Sequence, residues 1–142
     1  MYDKILLPVD LNHETSWEKA LPTALALCRT FQASLHVVTV MPDYHMPLVG
    51  SFFPADFSNK AHRALSEAQH RFVEQHVPAD VQVHCHITDG SPYEGILRSA
   101  RAIGADLIVM ASHNRHNLAD YLVGPNAEHV VRHAEMAVMV VR

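Results

Sequence analysis

Five short apolar runs recur along the chain, at residues 5–9, 35–40, 81–88, 106–110 and 137–141. The first, fourth and fifth are almost unbroken and rich in Val and Ile, as strands covered on both faces must be. The third is different: Val81, Val83, Cys85 and Ile87 alternate with Gln82, His84, His86 and Thr88. A period of two puts one apolar and one polar face on the same strand, which predicts an edge position with one face partly wet.

Between the runs the apolar period lengthens to that of a helix. Trp17, Leu21, Ala24, Leu25, Cys28 and Phe31 form one stripe, with Pro22 expected to kink it or tighten its first turns because it lacks an N–H. Ala61, Leu65, Ala68, Phe72 and Val73 form a second, with Ser58 as the expected N-cap and Pro78 just past the end. Ile96, Leu97, Ala100 and Ile103 form a third, opened by Ser91-Pro92 and closed by Gly104. Ala127, Val130 and Val131 predict a short fourth helix. Strands alternating with helices of this length imply right-handed crossovers, so the chain reads as one α/β domain over residues 1–142. The architecture expected is a single five-stranded parallel sheet with helices on both faces. With the third run at an edge, the strand order is 3-2-1-4-5. The long irregular stretch 41–57 carries Pro42, Pro47 and Pro54 with Tyr44, Phe52, Phe53 and Phe57, which are expected to be exposed in a lid, binding loop or unstructured connection.

Composition narrows the class without naming it. A domain of 142 residues buries roughly 68–70% of its unfolded surface and needs no disulfide for stability. Cys28 and Cys85 lack C-x-x-C spacing and read as two buried, reduced thiols, which suits a cytoplasmic location. The formal net charge of −4 argues against a nucleic-acid or anionic-membrane partner. The start of the chain is too short on apolar residues for a signal peptide or membrane span.

In an open parallel sheet, ligands bind beyond the carboxyl ends of the strands, where the strand order reverses. Here that point falls between the first and fourth strands, so Asp10 and Ala111 should meet at one crevice. Asp10 there is either a hydrogen-bond acceptor for ligand hydroxyl or amino groups or the anchor of an Asx-type turn.

The segment 111–127, ASHNRHNLADYLVGPNA, resembles the nucleotide loop of the universal stress protein family. So do Ile5-Leu6-Leu7-Pro8-Val9-Asp10, Gly90-Ser91-Pro92, residues 105–110 and the closing residues 128–142. The resemblance implies a Rossmann-like sheet of the adenine-nucleotide alpha-hydrolase type. It also implies ATP or another adenine nucleotide as ligand, and a homodimer paired through Ala137, Val138, Met139, Val140 and Val141. Carried over by position, the site comprises Pro8, Val9, Asp10, Val40, Met110, Ala111, His113, Asn114, Arg115, Gly124, Pro125 and Asn126, with Asp10 and Val40 falling at the ribose and the adenine.

Some family members hold the phosphates on a G-x2-G-x9-G-[ST] loop, and its four signature places fall at Ala111, Asn114, Gly124 and Pro125. Only Gly124 matches. Ala at a left-handed position costs roughly 1 kcal/mol relative to Gly, and Asn is the other residue best suited to that conformation. Pro125 removes a hydroxyl and an amide donor together, worth up to about 3–6 kcal/mol if nothing replaces them. Ser112, His113, Arg115, His116 and Asn126 are nearby donors. The expectation is therefore an adenine-nucleotide-binding module with an altered phosphate end, acting in stress response through partner proteins. The alternative is a dimeric interaction protein whose nucleotide site has decayed.

No nucleophile elbow and no Walker lysine is present, so no catalytic residue is assigned and any ATP turnover would be slow and incidental. Of the twelve histidines, His84 and His86 share a strand face but read as polar surface rather than metal ligands. His62, His70 and His76 read as solvated. No metal is expected beyond a nucleotide-bound Mg²⁺.

Overall fold

The computed structural model describes residues 1–41, 56–112 and 124–142. Five parallel strands, β1 (Lys4–Pro8), β2 (Ser34–Met41), β3 (Val83–Asp89), β4 (Leu107–Ala111) and β5 (Ala137–Val141), form one sheet. The order is β3-β2-β1-β4-β5, as the sequence pattern implies. Among the described residues the helices are α1 (Ala20–Phe31), α2 (Phe57–His76), α3 (Pro92–Ile103) and α4 (Pro125–His133), with a 3-10 turn at Glu14–Ser16.

Alternation along the central strands sorts two cores. Ile5, Leu7, Leu35, Val37, Leu107 and Val109 face α1 and α2, where Leu21, Ala24, Leu25, Cys28 and Phe72 cover them. Leu6, Val38, Ile108 and Met110 face α3 and α4, meeting Ile96, Leu97, Ala100, Ala127 and Val130. Each such fully buried aliphatic side chain contributes about 1.5–3 kcal/mol. The register Ile5↔Leu35 and Ile5↔Leu107 centres β1 in the sheet.

Several local expectations are corrected. Trp17 lies before α1 rather than in it, where its ring meets Phe72 edge-on at 5.0 Å and tilts over His76 at 4.5 Å. Pro22 then sits in the first turn of α1, whose N–H groups have no intrahelical partner, so it is tolerated without a break. The N-cap of α2 is Asp56, one residue before the helix begins, and Ser58 falls inside the first turn. Val131 is 52% exposed because it turns away from the stripe that Ala127 and Val130 bury. Val81 is buried ahead of β3, which pairs only from Val83. Met41 belongs to β2 and Phe57, half-buried, to α2, while Tyr44, Phe52 and Phe53 lie outside the described residues.

Helix α3 follows its expected caps, with Ser91 at the N-cap, Pro92 at N1 and Gly104 left-handed at φ 74°. The Ser91 hydroxyl makes no capping bond and is buried without a partner. Gly95 lets α3 lie close to β3: a Cβ there would come within 2.8 Å of Thr88 Cγ2 and 3.3 Å of the Asp89 carbonyl. Arg98 ties the same contact, donating to Thr88 Oγ1 at 2.8 Å and to the Asp89 carbonyl at 2.7 Å. From there α3 descends across the sheet to β1, where Lys4 Nζ donates to the Ile103 carbonyl at 3.1 Å.

Candidate functional site

The reversal of strand order falls between β1 and β4, and the residues expected there come together at the carboxyl end of the sheet. Val9 continues β1 by donating to the Val38 carbonyl at 2.9 Å. Ser112 continues β4 by donating to the Val141 carbonyl at 2.9 Å. Val9, Met110 and Ala111 are buried; Pro8 and Val40 are half-buried. Their backbones thus form a fixed floor, and Asp10 rises from it, exposed.

Asp10 is held by a compact turn. Its Oδ1 accepts the Asn12 N–H at 3.0 Å, an Asx turn. Its Oδ2 lies 2.9 Å from His13 Nδ1. Ser16 Oγ accepts the Asp10 N–H at 2.9 Å and lies within donating reach of the carbonyls of His13 and Asp10, at 2.7 and 3.1 Å. The Asx-turn reading of Asp10 therefore holds. The carboxylate orders the turn, and the remaining lone pairs on its two oxygens face solvent. Asn12, His13 and Ser16 were not among the site residues inferred from the sequence. The available signal was the polar D-x-N-H spacing directly after a buried strand.

Across the crevice, Gly124 is the N-cap of α4 and Pro125 its first residue. Gly124 has φ −56°, a conformation open to any residue. Pro125 fits the helix well, since an N1 amide has no intrahelical acceptor. The Glu128 N–H is engaged by the Gly124 carbonyl at 2.9 Å. The first-turn amides of Asn126 and Ala127 have no acceptor among the described residues, and they are donors where Pro125 has none. His113, Asn114 and Arg115 lie outside the described residues.

Other features lie away from this crevice. A hollow of about 510 Å³ beside Cys28, Arg29, Asp80 and Gln82 opens at the opposite, amino end of the strands. It is bounded by a two-pronged Arg29–Asp80 ion pair at 2.7 and 3.1 Å, so its position and lining are those of a surface groove rather than the switch-point site. Cys28 is buried as expected, whereas Cys85, on the edge strand β3, is only half-buried; burial pushes the Cys28 thiol up to about 11 and raises Cys85 as well, so neither is primed as a nucleophile. Among the described residues no three His, Cys, Asp or Glu side chains form a ready-made metal cage. No described helix is long and apolar enough to cross a membrane.

One histidine escaped the sequence reading. His36, in the middle of β2, is buried, and its ring stacks on His84 and His86 of β3 with centroids 4.7 and 5.1 Å apart. Its Nδ1 lies 2.9 Å from His86 Nε2, and its Nε2 3.1 Å from Ser34 Oγ. Burial, and then the neighbouring His86, His84 and Lys4, lower its pKa to about 4. Burial, then His84, lowers His86 too.

A doubly wound parallel sheet with an acidic turn at its switch point and a helix N-terminus opposite is an open α/β domain of the kind whose switch-point crevice can take a small ligand. Comparison with known proteins makes the class specific. The universal stress protein family matches residues 1–142, and the chain belongs to that family. It is 30% identical to universal stress protein G of Shigella flexneri over 145 residues, covering 100% of both chains. Among solved structures it is similar to universal stress protein UspA from Lactobacillus plantarum, with 27% identity, a TM-score of 0.72 and coverage of 99% and 98% of the two chains. A universal stress protein from Archaeoglobus fulgidus in complex with dAMP shares the fold at 20% identity, a TM-score of 0.65 and coverage of 99% and 98%.

Proposed function

We propose that this protein binds an adenine nucleotide at the β1–β4 crevice and acts as a non-enzymatic module through a homodimer. The observation that carries the reading is the Asp10 turn, a fixed carboxylate with spare acceptor capacity at the switch point of the sheet. A ribose presents two hydroxyl donors that suit it, and Val40 offers a half-buried apolar wall for a base. The dAMP complex of the Archaeoglobus fulgidus protein supports the ligand class. At the phosphate end, the first-turn amides of Asn126 and Ala127, without an acceptor among the described residues, favour an anion at the start of α4, while Pro125 supplies no donor. The site therefore suits a monophosphate at least as well as a triphosphate. Titration calorimetry with AMP and ATP should show saturable heat at up to millimolar nucleotide, with AMP no weaker than ATP. Absence of heat with both would overturn the reading, in favour of an interaction protein with a lapsed site.

The free sheet edge supports the dimer reading. β5 pairs only with β4 among the described residues, and it leaves Ala137 and Met139 exposed on an outer edge with free backbone donors and acceptors. Light scattering should give twice the 15.9 kDa chain mass at micromolar concentration, and Met139→Lys should halve it. A wild-type monomer would remove the dimer from the proposal.

A further inference from the structure

We propose, resting on the nucleotide reading of the crevice, that Ser16 is the residue that positions Asp10 for a ribose. Ser16 closes the 3-10 turn Glu14–Ser16 and is only 7% exposed, so it sits beneath the turn and acts through what it holds. What it holds is both members of the Asp10–His13 pair. Its Oγ accepts the Asp10 N–H at 2.9 Å and donates to the His13 carbonyl at 2.7 Å. Its own N–H goes to that same carbonyl, at 3.0 Å. One short side chain thus fixes the backbone of two residues whose side chains meet at 2.9 Å.

The chain path calls for such a pin. Val9 still bonds to β2 through the Val38 carbonyl, and the Asp10 N–H is the first amide beyond that bond. It is part-buried, and a part-buried amide without an acceptor is costly. Serine meets the need with a single oxygen that accepts and donates at once. The Asp10 carbonyl, 3.1 Å from the same oxygen, already takes the His13 N–H, which leaves the hydroxyl proton to the shorter contact with His13. Ser16 is held in turn by its neighbour. Trp17 lays its ring edge-on to Phe72 of α2 at 5.0 Å, and Phe72 belongs to the core. The turn is therefore tied to α2 on one side and to the end of β1 on the other. The Asp10 carboxylate is exposed, and its described side-chain contacts, to Asn12 and His13, both lie within the turn, so the turn sets its direction. An acceptor ordered before the ligand arrives spares binding the entropy of ordering it, so the pin raises affinity without touching the ligand.

NMR of the full chain tests this with Ser16→Ala, which deletes the hydroxyl and little else. The indole signal of Trp17, the chain's one tryptophan, reports in the same spectra that the turn still packs on α2. In the ligand-free protein the Asp10 amide should exchange with solvent at least about tenfold faster in the variant, while amides within β1 and β4 keep their protection. Titration with AMP should give a Kd about tenfold weaker than that of the wild type. In an Asp10→Asn background the same substitution should weaken binding by less than about threefold, because the group that Ser16 positions is already gone. A loss of equal size in both backgrounds would mean that Ser16 only supports the fold around the crevice, and would overturn the proposal. An Asp10 amide equally protected in wild type and variant would overturn it too, whether or not AMP binds. Wild-type protein that takes up no AMP would instead overturn the nucleotide reading, and with it the part of Ser16 in binding; the exchange rates would still decide whether Ser16 holds Asp10.

Discussion

Moving the protein from pH 7.5 to pH 5 is expected to lower its unfolding free energy by about 2 kcal/mol, and by about 3 kcal/mol at pH 4, through His36 alone. The unfolded imidazole takes up a proton near pH 6.5, whereas the folded one, buried against β3, resists until about 4. In that interval the unfolded chain binds more protons, so stability is fully present above pH 6.5 and is lost as the pH falls towards 4. The groups that act on His36 are His86 and His84 from β3 and Lys4 from β1, all of which disfavour its charged form. His86, also lowered, adds to the loss in the same direction. Asp80, whose carboxyl is held below its ordinary range by the bond from Arg29, begins to lose its contribution only as the pH falls into the ordinary carboxylate range, so the histidine effect is read cleanly above that range. Urea unfolding at pH 7.5, 6 and 5 measures the slope. His36→Leu, an apolar replacement beside Val38, should flatten it while costing stability at pH 7.5, because Ser34 and His86 lose a partner. A stability that is level or rising from pH 7.5 to 5 would show that His36 is not buried as described.

The same residue marks where sequence reading stopped. The apolar runs defined the fold because strands covered on both faces can hardly read otherwise, and the alternation in 81–88 placed β3 at the edge and so set the strand order. His36 sat inside an apolar run with no visible partner. Its meaning depends on the parallel register of β2 against β3, which brings His36 opposite His84, and a register is not written in either strand alone. Ser58 failed as a cap for a more local reason: the helix already begins at Phe57, with Asp56 at the N-cap, and boundaries hinge on such single steps. At the crevice, Asp10, Ala111 and Gly124 were legible from topology and motif. What Asp10 does was not, because the Asx turn and the His13 contact are products of the backbone path after Val9. Pro125 also changed meaning. As a motif residue it looked like damage, yet in the structure it is a well-placed N1 proline whose loss to a ligand is one amide and one hydroxyl.

Replacing Asp10 should have the largest effect on nucleotide binding, and the choice of replacement separates its two jobs. A charge-assisted hydrogen bond contributes about 1.5–3 kcal/mol, so Asp10→Ala should weaken binding by roughly 10- to 150-fold. Alanine also removes the acceptor for the Asn12 N–H and the partner of His13, so part of that loss would come from a loosened turn. Asparagine keeps an oxygen for the Asn12 N–H and an amide that can donate to His13, yet lacks the negative charge. If the carboxylate itself recognises the ribose, Asp10→Asn should retain the wild-type thermal stability and still lose about tenfold or more in nucleotide affinity. If the carboxylate only orders the turn, Asp10→Asn should bind as the wild type does, and that result would move the recognition of the sugar elsewhere. Pro125→Ser completes the argument from the other end of the ligand. Restoring one hydroxyl and one amide at the start of α4 should strengthen ATP binding more than AMP binding, because only the longer phosphate chain has charge left to engage them. A variant that strengthens both equally would place the donors at the α-phosphate, and the preference for a monophosphate would then have to come from the floor of the crevice rather than from Pro125.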